Sequence, residues 1–388
     1  MENTDFYEES LMLHARSNGK LEITGKVSVT TKKELSVVYT PGVAEPCLLI
    51  ERYPEYAGKY TIKANSVAVV SDGSAVIGLG NIGGLAALPA VESKAFLYKK
   101  FGGIDAYPIC LDTQDADEIV MTIKNIAPSF GGIILDGIAA PRCFEVERKL
   151  KRELSIPVFN DGGKGAAAAV GAAVINAYRL LGRPLYDIRA VVCGAGAAGN
   201  AVARMLIDIG VKDIVVCDSK GILSASRIPE FGEDKLELLE LTNKENLAGG
   251  LSEAVKNRNL FIGVSKENTL SQEMIKTMAK DPVILALSNP LPEILPDLAI
   301  SAGAKIVGTG RPDYQNQITS MLISPGLIRG TLDSVTSEIT GEMILAAVYA
   351  LSALVPKEKL SAAHILPSVF DDGIAETIAN AVKKSRKK

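Results

Sequence analysis

Residues 189–210, RAVVCGAGAAGNAVARMLIDIG, restrict the fold of this chain more than any other stretch. The apolar run Ala190–Cys193 reads as a buried strand, Gly194, Gly196 and Gly199 as a tight turn, and the segment beyond as a helix. Each glycine has its own task. The first permits the turn, the second lets a pyrophosphate approach the backbone, and the third lets helix and strand pack closely. The free N–H groups at the start of the helix, where Ala197 and Ala198 lie, then offer an anion site. Asp218 closes the next apolar run, DIVVCDSKG (213–221), about twenty residues on, where an acid accepts hydrogen bonds from the adenosine ribose. Strand, turn, helix and acid in this order predict a site for NAD, in preference to NADP. The neighbouring Lys220 is a cation that can accommodate a 2′-phosphate. A glycine turn that merely joins strand to helix does not require the acid.

The rest of the chain alternates in the same way. Short apolar runs with glycine-rich ends occupy 67–80, 106–112 and 131–138, with helical patterns over Leu88–Phe101 and Ala116–Ile126. Further strands are predicted at 260–265, 283–290 and 304–310, and helices return after about residue 318. Alternating strands and helices imply α/β architecture with parallel sheets. The 388 residues suffice for two domains. We expect residues 1–160 plus 318–388 to form one and residues 161–317 the other, the second being a doubly wound Rossmann-type sheet. Asp112 and Asp136 each end an apolar strand, where ligands bind in such sheets.

Composition narrows the function. With 42 basic and 45 acidic residues the net charge is −3, which gives no general attraction to nucleic acid or to a membrane surface. The terminal KKSRKK reads as a solvated end. The acidic MENTDFYEES start is unlike a secretory signal, and the apolar run Ala166–Leu181 is too short and too polar to span a bilayer. Five cysteines without a CxxC pair read as free thiols, which places the chain in the cytoplasm. Only His14 and His364 are present, neither in a glycine-rich or acidic motif, so proton chemistry falls to Lys, Tyr or Asp.

Seven longer motifs carry a resemblance. They are VYTPGVAEPC (38–47), SDGSAVIGLGNIG (71–83), ESKAFLYKKFGG (92–103), APRCFEVE (140–147), CGAGAAGNA (193–201), ALSNP (286–290) and TGRPDYQNQ (309–317). With them the chain resembles the malic enzymes of the short bacterial type over nearly its whole length. The resemblance implies a homodimer or larger oligomer that oxidises the small-molecule substrate L-malate with NAD and decarboxylates the product to pyruvate. It implies a catalytic role for Lys94, for Tyr39 as proton donor to the enolate carbon, and for Asp161 beside the lysine. Ser265, which closes the strand LFIGVS, and Asn289 in SNP are expected at the cofactor. It also implies a divalent cation, Mg²⁺ or Mn²⁺, with Asp136 and Asp161 at ligand positions.

The sequence departs from that pattern at the cation. Where the family reads roughly LEDI this chain reads LDGI, so Gly137 offers no ligand. Where the family has two consecutive aspartates it has Asp161 followed by Gly162. A family pair of asparagines is replaced by Thr319 and Ser320. Lys164, in the same glycine-rich loop, either supplies part of the missing charge or points to solvent. Read without the resemblance, Lys94 is a surface lysine of an amphipathic helix, Tyr39 precedes a Pro-Gly turn, and Asp161 caps a helix beginning near Gly165. Two other functions stay open: a metal-independent 2-hydroxy-acid dehydrogenase, and an NAD-binding homologue without turnover.

Overall fold

A computed structural model describes residues 6–386. The chain begins with an arm of four helices, α1 (Phe6–Ser17), α2 (Lys32–Val38), α3 (Ala44–Arg52) and α4 (Ala57–Tyr60). Between α1 and α2, around the glycines at 19 and 25, the chain is irregular. None of the four helices buries a residue. The arm is fastened at a few polar points, such as the Lys20 N–H donating to Glu92 at 2.8 Å and Lys26 pairing with Asp105 at 3.2 Å.

The first sheet alternates β1 (Ser66–Ser71), α5 (Gly84–Gly102), β2 (Asp105–Cys110), α6 (Ala116–Ile126), β3 (Gly132–Leu135), α7 (Arg142–Glu153) and β4 (Val158–Asn160). Its order is β2-β1-β3-β4 and every pairing is parallel. All six residues of β1 are buried, as helices on both faces of a parallel sheet demand. The predicted run 67–80 ends as a strand at Ser71, because the glycines that follow turn the chain. Helix α6 starts where Asp115 accepts from the N–H groups of Asp117 and Glu118, and α5 stops at Gly103 in the left-handed conformation.

The apolar run Ala166–Leu181 is α8, a buried helix. Behind it lies the second sheet, of β5 (Arg189–Cys193), α9 (Ala197–Asp208), β6 (Asp213–Asp218), β7 (Gly221–Ile222), α10 (Glu233–Leu241), α11 (Leu251–Val255), β8 (Leu260–Gly263), α12 (Gln272–Lys276), β9 (Val283–Ala286), α13 (Pro296–Ser301) and β10 (Ile306–Thr309). Its order is β10-β9-β8-β5-β6-β7, parallel except for the short edge strand β7. Strand order runs outward from β5 in both directions, so the crevice at the carboxyl end of β5 is a topological switch point. This is a doubly wound Rossmann-type sheet. One apolar core runs from Val69 and Ile134 of the first sheet through α8 to Val192 and Leu285 of the second. Helices α14 (Ser324–Asp333), α15 (Gly341–Ala353) and α16 (Ile374–Ser385) close the molecule, with α14 packed between α5 and α16.

Candidate active site

The register of β3 and β4 builds the site. Leu135 lies opposite Asn160, so the next residues, Asp136 and Asp161, leave the sheet side by side at its carboxyl edge. Helix α5 crosses above them and presents Lys94 and, one turn later, Tyr98 on the same face. Lys94 is not a surface lysine, since its side chain is only 12% exposed. Its Nζ donates to Asp161 Oδ2 at 2.7 Å and to Ser320 Oγ at 3.2 Å, and lies 3.5 Å from Asp136 Oδ1. The second oxygen of Asp161 accepts from the Ser324 hydroxyl at the start of α14. Asp161 therefore does not cap a helix. It anchors the lysine, and the turn it opens, 161–165, leads into α8.

Burial alone would lower the Lys94 pKa, but Asp136 and Asp161 outweigh it and hold the ammonium above its ordinary value. This arrangement favours the protonated ammonium when the site holds no substrate. Burial pushes Asp136 up, with Lys94 opposing and the charge of Asp161 adding to the rise. The fully buried Tyr98 hydroxyl has no hydrogen-bond partner, and burial followed by the charges of Asp161 and Asp136 drives its pKa upward. Sequence reasoning missed Tyr98 and Ser324, and marked Ser320 only as a departure from the family pattern. Tyr98 had a signal, four residues after Lys94 in a helix, whereas Ser320 and Ser324 arrive from a distant part of the chain.

Lys164 neither reaches the two aspartates nor points freely to solvent. Its ammonium donates to Glu147, which Lys151 also pairs at 2.8 Å. Despite its burial, Glu147 is held below its ordinary value by those two lysines. Tyr39 ends α2 in the arm, 66% exposed, and shares no hydrogen bond with the Lys94 cluster among the described residues.

The dinucleotide cradle lies beside this cluster. The 161–165 turn packs on the first turn of α9, where a Cβ on Gly163 would come within 3.0 Å of the Ala197 carbonyl. Gly194 has φ +121°, and a Cβ on Gly199 would stand 1.8 Å from the Gly194 carbonyl oxygen. Only glycine permits that turn, and the space above Gly196 is open. The residues present therefore fit a bound pyrophosphate. Asp218 ends β6 as expected, but its carboxylate is already engaged. Oδ1 accepts from the Lys220 N–H at 2.9 Å, and Oδ2 from Arg227 at 3.0 Å and Lys235 at 2.7 Å. Burial opposes the ionised form, yet these hydrogen bonds hold the carboxyl down to about 2. Ser265 follows β8 and donates its N–H to the buried Glu293 at 2.8 Å. Asn289 lies on the loop after β9, whose backbone touches the turn at Gly78 from the first sheet. The two sheets thus meet at the mouth of the crevice.

The residues do not fit a divalent cation as the family pattern would. Among the described residues no three His, Cys, Asp or Glu side chains are gathered to hold one. Gly137 has φ +65°, and a Cβ there would lie 2.8 Å from Ser71 Oγ. A Cβ at Gly162 would make ordinary van der Waals contacts, with Asp136 Oδ1 nearest at 3.6 Å.

Comparison with known proteins agrees with this architecture. Residues 18–151 match the malic enzyme N-terminal domain and residues 164–386 the malic enzyme NAD binding domain. The chain is 47% identical to the bifunctional malic/malolactic enzyme of Bacillus subtilis over 378 residues, 97% of this chain and 92% of that protein. It is 45% identical to an NAD-dependent malic enzyme of Geobacillus stearothermophilus over 375 residues, 97% of this chain and 78% of that one. The crystal structure of the NAD-dependent malic enzyme from Thermotoga maritima superposes with a TM-score of 0.92 at 43% identity, covering 96% of this chain and 98% of that one. Two family domains in order, on a matching fold, show that this chain belongs to the malic enzyme family.

Proposed function

We propose that this chain oxidatively decarboxylates L-malate to pyruvate and CO2 with NAD as hydride acceptor. The observation that carries the reading is the Lys94–Asp136–Asp161 cluster set against the glycine-lined cradle at the start of α9. The turn at Gly194, Gly196 and Gly199 would hold NAD, which would supply the acceptor for the hydride of malate C2. The hydroxyl proton leaves to a base, the bond to the distal carboxylate breaks with release of CO2, and the electron pair forms an enolate that is protonated on carbon. In this scheme Lys94 faces the oxygen that gains charge, Asp161 and Ser320 hold its ammonium in place, and Asn289 and Ser265 flank the nicotinamide side of the crevice. We assign residues 1–160 with 318–388 to the substrate domain and residues 161–317 to the NAD domain.

The working unit in this reading is a cytoplasmic homodimer. More than half of the large apolar side chains exposed among the described residues fall between residues 6 and 62, including Leu11, Ile23, Val37, Leu48 and Tyr53. A surface of that kind on an arm without buried residues suits a second copy of the chain, and a stable interface needs about 800 Å² per partner. Tyr39 belongs to this arm, so its role as proton donor depends on the arm being seated. No helix among the described residues is long and apolar enough to cross a membrane. The test is to incubate the protein with malate and NAD, follow NADH, and identify the keto acid. Pyruvate supports the proposal. Oxaloacetate without CO2 means oxidation alone, and no turnover over a panel of hydroxy acids means an NAD-binding homologue.

A further inference from the structure

We propose that the Lys94 ammonium occupies the place of the divalent cation in this chain, so that its site works without a bound metal. The chemistry ascribed to the site rests on the function proposed above; the claim about the cation does not.

Three observations carry it. The first is occupancy. A divalent ion shared by Asp136 and Asp161 would stand about 2.0–2.6 Å from their oxygens. Those oxygens already face Nζ of Lys94, at 3.5 Å and 2.7 Å, and the remaining oxygen of Asp161 is taken by Ser324. The ion and the ammonium cannot both sit there, because two cations at that spacing repel strongly in a buried site.

The second is ligand number and charge. Hard cations take six or more oxygens, and the number of charged ligands sets their affinity. Here two carboxylates converge, and the positions beside them, Gly137 and Gly162, carry no side chain. The neutral groups nearest these glycines, Ser71 Oγ and Asn160 Oδ1, add no charge.

The third is the ammonium's own valence. Of its three donors, one goes to Asp161 and one to Ser320. The third faces Asp136 across a long ion-pair contact of 3.5 Å, the weakest of the three and the one that a substrate oxygen can displace. A fixed, desolvated cation aimed at an oxygen that gains negative charge supplies the stabilisation that a Lewis acid would otherwise give. Lys164, the other lysine near this loop, is committed to Glu147 and plays no part.

The test reads Mn²⁺ binding directly, so it is independent of turnover. The EDTA-treated full chain is titrated with Mn²⁺ by electron paramagnetic resonance, beside Lys94→Met and Gly162→Asp, each first checked for a native circular dichroism spectrum. The expected result is no saturable Mn²⁺ binding in the unmodified chain at micromolar metal. Lys94→Met, which removes the competing cation from both carboxylates, should bind Mn²⁺ at least about tenfold more tightly, and Gly162→Asp, which adds a carboxylate where a Cβ makes only ordinary contacts, should gain by about the same factor. Micromolar Mn²⁺ binding by the unmodified chain that Asp136→Asn abolishes would overturn the proposal. So would folded Lys94→Met and Gly162→Asp proteins with no gain, or malate oxidation that EDTA stops and Mn²⁺ restores. If no malate turnover is seen under any condition, the proposed function fails while the Mn²⁺ titration still decides this inference.

Discussion

Replacing Ser324 by alanine removes one hydroxyl from the interior and tests how the Asp161 carboxylate is held. Ser324 is fully buried and donates to Asp161 Oδ1, and the Asp161 side chain is itself fully buried. The variant leaves a charged oxygen without its donor, and hydrogen bonds to charged groups contribute about 1.5–3 kcal/mol. The lost atom is too small to open a void that admits water, so solvent offers no replacement. One buried donor remains nearby, because the Tyr98 hydroxyl lies beside the same groups with no hydrogen bond of its own. A small rotation would let it take the place of Ser324, so the expected loss is at the lower end, about 1.5 kcal/mol. Tyr98→Phe alone should be neutral or slightly stabilising, since it deletes an unsatisfied buried hydroxyl. The double variant should lose more than the sum of the two, with a coupling of about 1 kcal/mol. Urea unfolding of the four proteins measures this, with a shift in midpoint at constant slope. A Ser324→Ala cost below about 0.5 kcal/mol, or strict additivity, would refute the reasoning.

Other perturbations probe the cofactor side, the thiols and the arm. Asp218→Ala should shift cofactor preference from NAD toward NADP, because Arg227 and Lys235 are released from the carboxylate to a 2′-phosphate; the ratio of the two dissociation constants reports it. Asp218 also sets an acid limit. Its folded value of about 2 lies below the ordinary 3.8, so its stabilisation is complete above that ordinary value and is lost as the pH falls toward 2. Acid unfolding of Asp218→Ala should show a correspondingly flatter profile over that window. Burial pushes the thiols of Cys143 and Cys217 up to about 11 and about 12, so both should resist a thiol reagent at neutral pH until denaturant is added. Light scattering after size exclusion should give a dimer, and aspartate at Val37 and Leu48 together should yield monomer that still binds NAD but has lost malate turnover.

The parts of this molecule that follow from local rules were legible in its sequence. The Gly194–Gly199 turn, the helix Ala116–Ile126 and the buried helix Ala166–Leu181 each rest on patterns confined to one short stretch. The site was legible only through its motifs. That Asp136 and Asp161 stand side by side depends on the pairing of Leu135 with Asn160, a register no local pattern states. Ser320 reaches the lysine, and Ser324 the Asp161 carboxylate, from a segment more than two hundred residues beyond Lys94. Lys164 illustrates the same point in reverse. Flanking glycines leave its direction open, and its partner Glu147 sits on a helix earlier in the chain. The engagement of Asp218 by Arg227 and Lys235 was hidden for the same reason, since the cations come from the turn after β7 and from α10.

In the function proposed above, Lys94 serves malate decarboxylation at the edge of an NAD cradle with no divalent metal. The most direct measurement uses malate labelled in the carboxylate distal to the hydroxyl, incubated with NAD and EDTA, with labelled CO2 trapped and NADH followed in the same vessel. The expected result is labelled CO2 and NADH in equal amounts, at a rate unchanged by added Mn²⁺ and abolished in Lys94→Met. Labelled CO2 that appears only when Mn²⁺ is supplied, or a Lys94→Met protein that releases it at the unmodified rate, would contradict it.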